Sequence, residues 1–521
     1  MSELPQGWAE VALRDACTSI ADGDHQAPPK SADGIPFITI SAINDGKLRL
    51  DDATRFVPQT YYDALKAERK AQRGDVLVSV TGSIGIAAQV DTEREFVFQR
   101  HIAVLRPNAD KVDNRFLHLR MQADDIKRQA LDVATGTAQL TVPLSELRQL
   151  RFGLPPRAEQ TRIVEKLESL LADLDAGVAE LKAAQRKLAQ YRQSLLKAAV
   201  EGALTADWRA SFRSSFPRRR ESSDFQHGTA KALDSRLRGN DDVEETGTQL
   251  LARILHERRT RFEQKHGPRK KYVEPAAPDT SQLLALPEGW AWASVEQIGD
   301  VTTGFTPSTS NPDYFGGDIP FFKPTDLDAG YELHDFRDSL TELGAAQGRL
   351  LPASSVLVTC IGATIGKTGL ARVPCTTNQQ INAVSPADGI CPEYVFFVMT
   401  SPLGQHQIIS NASATTLPIL NKSKFEKLPV PLPPLEEQHQ ILTQLDTALA
   451  ACKQQEHAIT HALQQAAAQR RNLLRAAFSG QLVPQDPADE PASTLLARIR
   501  AGREGVAGVN KRGRKLAKST R

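Results

Sequence analysis

Cysteine is scarce and scattered in this 521-residue chain: Cys17, Cys360, Cys375, Cys391 and Cys452 form no C-x-x-C pair and keep no regular spacing to histidine. That excludes a zinc-ligand framework and a disulfide scaffold, and leaves the five as small buried side chains. No apolar run reaches the roughly 18 residues a membrane helix needs, and the opening MSELPQGWAEV lacks the basic and apolar regions of a signal peptide, so the cytoplasm is the expected location. Net charge is small as well, at +2, so composition alone does not announce a nucleic-acid binder. Basic charge is local instead: residues 498–521 hold nine Lys or Arg against one Glu, and residues 253–275 hold eight against three. Each run reads either as a solvated segment or as a phosphate contact.

Catalytic motifs are missing too. GATIGKT (Gly362–Thr368) has three residues between its glycines where a phosphate loop needs four, and its repeat at Gly82–Ala88 has Ile86 where Lys367 stands. NPDY (Asn311–Tyr314) departs from the signature of amino-methyltransferases at Asp313, and no glycine-rich cofactor turn accompanies it; a loop turn is the plainer reading. No nucleophile, base or metal constellation emerges, so no catalytic residue, metal site or cofactor is expected in this chain.

What the chain does have is duplication. LPQGWAEVALRDAC (Leu4–Cys17) returns as LPEGWAWASVEQIG (Leu286–Gly299), and GDVLVSVTGSIG (Gly74–Gly85) as ASSVLVTCIGATIG (Ala353–Gly366). FQRHIAV (Phe98–Val104) returns as TNQQINAV (Thr377–Val384), LPPRAEQTRIVEKL (from Leu154) as LPPLEEQHQILTQL (from Leu432), and AAVEGAL (Ala198–Leu204) as AAFSGQL (Ala476–Leu482). Each half is thus a mixed domain followed by a long helix. Runs such as IPFITI (Ile35–Ile40), DVLVSV (Asp75–Val80) and SVLVTC (Ser355–Cys360), bounded by Gly, Pro, Asn and Asp, predict strands and an α+β fold.

The helices carry heptad seams. In the first, Leu167, Leu174, Leu181, Leu188 and Leu195 fall seven apart with Val164, Leu171 and Val178 between them; in the second, Leu445, Cys452, Ile459, Ala466 and Leu473 are in register, with Leu442, Leu449 and Leu463 between. Pro155 and Pro156 suit a first turn, and Glu159 sits where the helix dipole favours an anion. A run from Pro155 to Ala199 would span about 68 Å at ~1.5 Å per residue, more than a compact domain of 150 residues, so two such rods should bury each other's seams as an antiparallel pair in a pseudo-twofold molecule. The alternative is that each stripe packs on its own domain.

The combination of LP-x-GW openings, LPP followed by EQ, heptad helices and the LLAR segment at the end of AFSGQLVPQDPADEPASTLLARIRAGRE (Ala477–Glu504) resembles the specificity subunit of Type I restriction-modification enzymes over nearly the whole chain. The resemblance implies two target recognition domains (1–153 and 286–431), each reading half of a split, asymmetric double-stranded DNA target. It also implies spacer helices (154–203 and 432–480), a linker (204–285) with a short helix, and a C-terminal conserved segment with a basic tail (481–521). Two methyltransferase subunits and two restriction-motor subunits would be the partners, carrying S-adenosylmethionine, ATP and Mg2+ for adenine methylation and cleavage. A recognition module of a fused or split methyltransferase or nuclease of another restriction type is the alternative, and a coiled-coil scaffold without a DNA role a further one.

Base edges are read by Arg, Lys, Asn, Gln, Ser and Thr, and phosphates attract basic side chains. The expected contacts are His25, Gln26, Lys30, Ser83, Gln99, Arg100, His101 and Thr137 in the first domain, and Thr306, Ser308, Thr309, Asn311, Lys323, Thr364, Lys367, Asn378, Gln379 and Gln380 in the second. One segment is extra: LLAR at 250 and at 495 are 245 apart, against 278 just upstream, so the first half holds 33 additional residues at about 210–246. A codon choice for DSRLRGND (Asp234–Asp241) reads on the opposite strand as SFPRRRES (Ser215–Ser222), as a translated inverted repeat would. A surface loop is expected there. The alternative is a DNA contact through Arg218, Arg219 and Arg220.

Overall fold

The structure is a computed structural model that describes residues 4–498 apart from 24–27, 45, 138, 216–244, 268–269 and 414–416. His25, Gln26, the arginine cluster at 218–220, both halves of the inverted repeat beyond Ser215 and nearly all of the basic tail therefore lie outside the described residues. The chain divides into two compact units, one of Met1–Ala183 with Ile459–Arg521 and one of Ala184–Ala458.

In the first unit the strands are β1 (Ala9–Ala12), β2 (Cys17–Asp22), β3 (Ile35–Ile38), β4 (Phe56–Val57), β5 (Val76–Ser79), β6 (Ala87–Gln89), β7 (Val97–Phe98), β8 (Ile102–Pro107) and β9 (Arg151–Leu154). They form an antiparallel sheet ordered β2-β8-β5-β6, a small sheet ordered β4-β3-β7 in which β3 and β7 are parallel, and the ribbon β1-β9. Strand β5, VLVS, is buried along its whole length because both faces of its sheet are covered. Its period-2 alternation sends Val76 and Val78 to the core beneath the helices and Leu77 to the core shared with Ile38 and Phe98.

The second unit repeats the plan with β10 (Ala291–Ser294), β11 (Gly299–Thr303), β12 (Phe315–Phe322), β13 (Ser339–Leu340), β14 (Val356–Thr359), β15 (Thr368–Leu370), β16 (Thr376–Thr377), β17 (Ile381–Pro386) and β18 (Pro429–Leu432). The sheets are ordered β11-β17-β14-β15 and β13-β12-β16, with the ribbon β10-β18. Val356 and Val358 again enter one core and Leu357 the other.

The duplicated motifs form one joint, built twice. Ribbon β1-β9 pairs Ala9 with Leu154 and so delivers Pro155 and Pro156 to the start of a helix over Arg157–Val200. The indole of Trp8 donates to Glu159 Oε1 at 3.1 Å, and that of Trp290 donates to Glu437 Oε2 at 2.7 Å. Gln160 is fully buried: its Oε1 accepts the Asp113 N–H at 2.8 Å and its Nε2 donates to Lys111 O and Pro155 O, each at 3.0 Å. Gln438 does the same for the Cys391 N–H at 2.8 Å, Pro433 O at 3.2 Å and Gly389 O at 3.4 Å. LP-x-GW and LPP-x-x-EQ are therefore the two sides of a helix entrance, in which the Trp holds the Glu and the Gln ties the helix to its domain.

Both long helices, Arg157–Val200 and Leu435–Phe478, have 44 residues. In the first unit Ile163, Val164, Leu167 and Leu171 share a core with Leu474 and Ala477, and Arg470 Nη1 meets Asp175 Oδ1 at 2.8 Å. In the second, Leu195, Leu196, Ala199 and Val200 share a core with Ile441 and Leu445. The segments run antiparallel in each. Leu167, Leu188, Leu195, Leu445 and Cys452 are buried, while Leu174, Leu181, Ile459, Ala466 and Leu473 are half-buried. The two expectations for the stripe are both met in part, since its ends also pack on domain residues such as Phe116 and Phe152.

Where the helices end, Gly480 (φ +74°) lies against Pro5 and Gly202 (φ +76°) against Pro287. A Cβ at either glycine would come within 2.5 Å of the proline ring, which accounts for the repeated glycine in AAVEGAL and AAFSGQL. The linker is more helical than expected. A helix over Ala206–Ser215 runs into the start of the extra segment expected at about 210–246, whose residues 216–244 lie outside the described residues, and the later helix, Gly247–His266, has 20 residues and opens with a Thr246–Gln249 capping box. All five cysteines are free and buried.

Candidate nucleic-acid interface

One end of the four-stranded sheet gathers the loops in each unit. In the first, β5 runs into the glycine turn Gly82–Gly85, β7 turns into β8 through Gln99-Arg100-His101, and the segment around Thr135–Val142 lies beside both. Gln99 N–H donates to Ile38 O at 3.0 Å, Ile102 N–H to Gln99 O at 2.9 Å and Val80 N–H to His101 O at 2.8 Å. Val142 N–H donates to Val80 O at 2.8 Å, Gly82 N–H to Leu140 O at 2.9 Å, and Thr141 Oγ1 to Thr81 Oγ1 at 3.2 Å. Gly23 closes the cluster, since its N–H reaches Ile102 O at 3.3 Å and a Cβ there would lie 2.3 Å from Phe98 O.

The second unit has the same frame. Asn378 N–H donates to Phe322 O at 3.2 Å, Ile381 N–H to Asn378 O at 3.2 Å and Cys360 N–H to Gln380 O at 2.7 Å. Leu420 N–H donates to Cys360 O at 2.8 Å, Gly362 N–H to Pro418 O at 3.0 Å and Gly304 N–H to Ile381 O at 3.0 Å. The glycine amides of both turns are thus spent on protein carbonyls, including Gly366 on Thr359 O at 2.9 Å, so the glycines themselves do not cradle a phosphate.

Most expected contacts fall on these frames. Lys30, Ser83, Arg100 and Thr137 are exposed; Gln99 and His101 are half-buried. Burial first, then the nearby Arg100 charge, holds His101 below the usual imidazole pKa, so its ring is neutral at pH 7. In the second unit Ser308, Thr309, Thr364 and Gln379 are exposed, Thr306 and Gln380 half-buried, and Asn378 is 8% exposed. Thr306 Oγ1 donates to Gln379 Oε1, Asn378 Nδ2 to Gln380 Oε1 at 3.0 Å and Gln380 Nε2 to Ile361 O at 3.5 Å. Asn311 serves its own turn, accepting Asp313 N–H at 3.1 Å, and Ser308 bonds Ser310 at 2.8 Å. Lys323 and Lys367 are ion-paired, with Asp338 at 2.8 Å and Asp328 at 2.6 Å.

Gln139 was missed. It is exposed and lies over the first glycine turn, 3.0 Å from the Cβ position of Gly82. A signal was present: Ala134–Val142 and Ala412–Leu420 are 278 apart and make the same bridges, Thr135 to Thr141 with Thr81 to Thr141, and Ser413 to Ile419 with Ile361 to Ile419. Among the described residues no group of His, Cys, Asp or Glu could hold a metal ion, and no helix is long and apolar enough to cross a membrane.

Fold and site together define a class: a protein of two like domains, each presenting a polar loop cluster at one sheet end and each joined to a long helix. Residues 5–182 and 287–465 match the model of the Type I restriction modification DNA specificity domain, and the chain belongs to the family of Type I restriction-modification specificity subunits. It is 25% identical over 391 residues to the Type I restriction enzyme HindI specificity subunit of Haemophilus influenzae, covering 71% of this chain and 79% of that one. It is 24% identical over 525 residues to the EcoBI specificity subunit of Escherichia coli, covering 97% and 94%. A chain from a solved structure concerning complex assembly and conformational transition of the type I R-M system has the same fold, with a TM-score of 0.63 at 19% identity over 92% of this chain and 100% of that one.

Proposed function

We propose that this chain is the non-catalytic, DNA-reading subunit of a Type I restriction-modification complex, and that its two domains read the two different halves of a bipartite target. The observation that carries this is the repeated frame with unlike side chains: the same backbone bonds hold Gln99-Arg100-His101 in one unit and Asn378-Gln379-Gln380 in the other. A fixed scaffold with variable polar tips is what direct base readout requires. Methyltransferase subunits bring S-adenosylmethionine and adenine methylation, and restriction-motor subunits bring ATP and Mg2+, two of each. The loops place the polar side chains, and the joints at Glu159-Gln160 and Glu437-Gln438 fix each helix to its domain. The test is a domain exchange. Replacing residues 1–153 with the first domain of another family member should change one half of the methylated sequence and leave the other; both halves changing together would refute two independent readers.

A further inference from the structure

The two central turns can be matched residue by residue, because their backbone bonds are the same: Gln99 corresponds to Asn378, Arg100 to Gln379 and His101 to Gln380. The outer members of each turn are drawn inward. Asn378 is 8% exposed and bonded to Gln380, Gln380 also reaches Ile361 O, and Gln99 and His101 are half-buried. The middle residue alone is exposed in both turns.

We propose that Arg100 reads a guanine in one half-site and Gln379 an adenine in the other, with Thr306 as the positioning residue that holds the Gln379 amide. The assignment rests on the DNA-reading function above and names the bases at its centre. A guanidinium has donors only, which suits the paired acceptors N7 and O6 of guanine in the major groove. A carboxamide has one donor side and one acceptor side, which suits the N7 acceptor and N6 donor of adenine and no other major-groove edge as well. Arg100 is exposed at the tip of its turn and makes no hydrogen bond or ion pair with another described residue, and His101 beside it, its pKa lowered by burial and by Arg100, favours the uncharged form. Gln379 is pre-set: the Thr306 hydroxyl donates to its Oε1 and fixes the plane of the amide, while Oε1 keeps a lone pair and Nε2 keeps its hydrogens. The two cations expected in that unit's interface, Lys323 and Lys367, are held by Asp338 and Asp328, so neither competes as a guanine-reading donor.

The experiment co-expresses full-length chain, unaltered or substituted, with its methyltransferase subunit and maps methylated adenines across the genome. Arg100→Gln should change a guanine in one half of the motif, Gln379→Arg should change an adenine in the other half, and discrimination at that adenine should fall about ten- to a hundred-fold. Thr306→Ala should relax the same adenine, and Thr306→Ser should restore it. An unchanged motif in either variant, both substitutions altering one half, or a folded and assembled complex that loses methylation at every site would overturn the assignment. If the unaltered subunit yields no two-part motif at all, the DNA-reading function itself falls, and the assignment with it.

Discussion

Replacing Gln160 by Met roughly keeps the volume and removes the buried amide bonds by which this side chain ties the first long helix to its domain, leaving Trp8–Glu159 and Arg157–Asp113 in place. Three partners lose their mate in a fully buried setting: the Asp113 N–H at 2.8 Å, and the carbonyls of Lys111 and Pro155 at 3.0 Å. A buried polar group left unsatisfied costs roughly 1–3 kcal/mol, and carbonyls with a second lone pair fall at the low end, so the local cost is about 3 kcal/mol. The Asp113 N–H opens the helix Asn114–Met121, whose cap Asp113 also receives Arg115 N–H at 2.9 Å, so the loss should appear first there. Hydrogen exchange of amides 111–117 should accelerate about a hundred-fold, since a local opening free energy sets the exchange rate. Gln160→Glu keeps the acceptor for Asp113 but not the donors, so it should spare the Asp113 amide more than Gln160→Met does. Exchange within about threefold of the unaltered chain in the Met variant, with the fold intact, would refute the reasoning about this joint.

The two joint glutamates should respond in opposite ways. Burial pushes the Glu159 carboxyl above its ordinary value despite Trp8 and Arg162, so its protonated form is favoured on folding: the stabilisation is complete at low pH and is lost as pH rises through the folded-state value. Glu159→Gln keeps an acceptor for Trp8 and should raise the melting temperature at pH 7, with the gain vanishing below about pH 4. Glu437→Gln should instead lower it, because Arg209, only 16% exposed, and Thr205 both lean on that carboxylate. Gly177 sits mid-helix and a Cβ there would meet nothing within 4 Å, so Gly177→Ala should stabilise by about 0.5–1 kcal/mol in a urea titration. Gly202→Ala should destabilise, since φ is +76° and Pro287 stands 2.5 Å from the new methyl; a melting temperature unchanged from the unaltered chain would count against that contact.

How far the sequence was legible can be judged at particular residues. The heptad leucines announced the helices because periodicity is local, and the same is true of strands such as Val76–Ser79. The position of Glu159 in the first turn marks it as a dipole partner; its acceptor role toward Trp8, 151 positions away, depends on a ribbon that brings the two together and that no local pattern states. The same holds for Arg162 and Asp489, whose Nη2 and Oδ2 are 2.6 Å apart across 327 positions. Arg120 is a harder case: it lies buried between the rings of Phe152 and Phe478, paired with Asp125, where the repeat places Val398, Val430 and Val200. In the loop clusters, residue type does not tell which polar side chains are engaged within the protein: Asn378 bonds Gln380, Asn311 serves its own turn, and Lys323 and Lys367 are ion-paired.

The central claim is that one chain reads two unlike half-sites for partner enzymes. Mapping methylated adenines genome-wide in cells carrying the complete complex, with and without this gene, tests it most directly. The account predicts a single interrupted motif, with two different halves a fixed distance apart, that disappears when the gene is removed. An uninterrupted motif, a palindromic one, or methylation indifferent to the gene would contradict it.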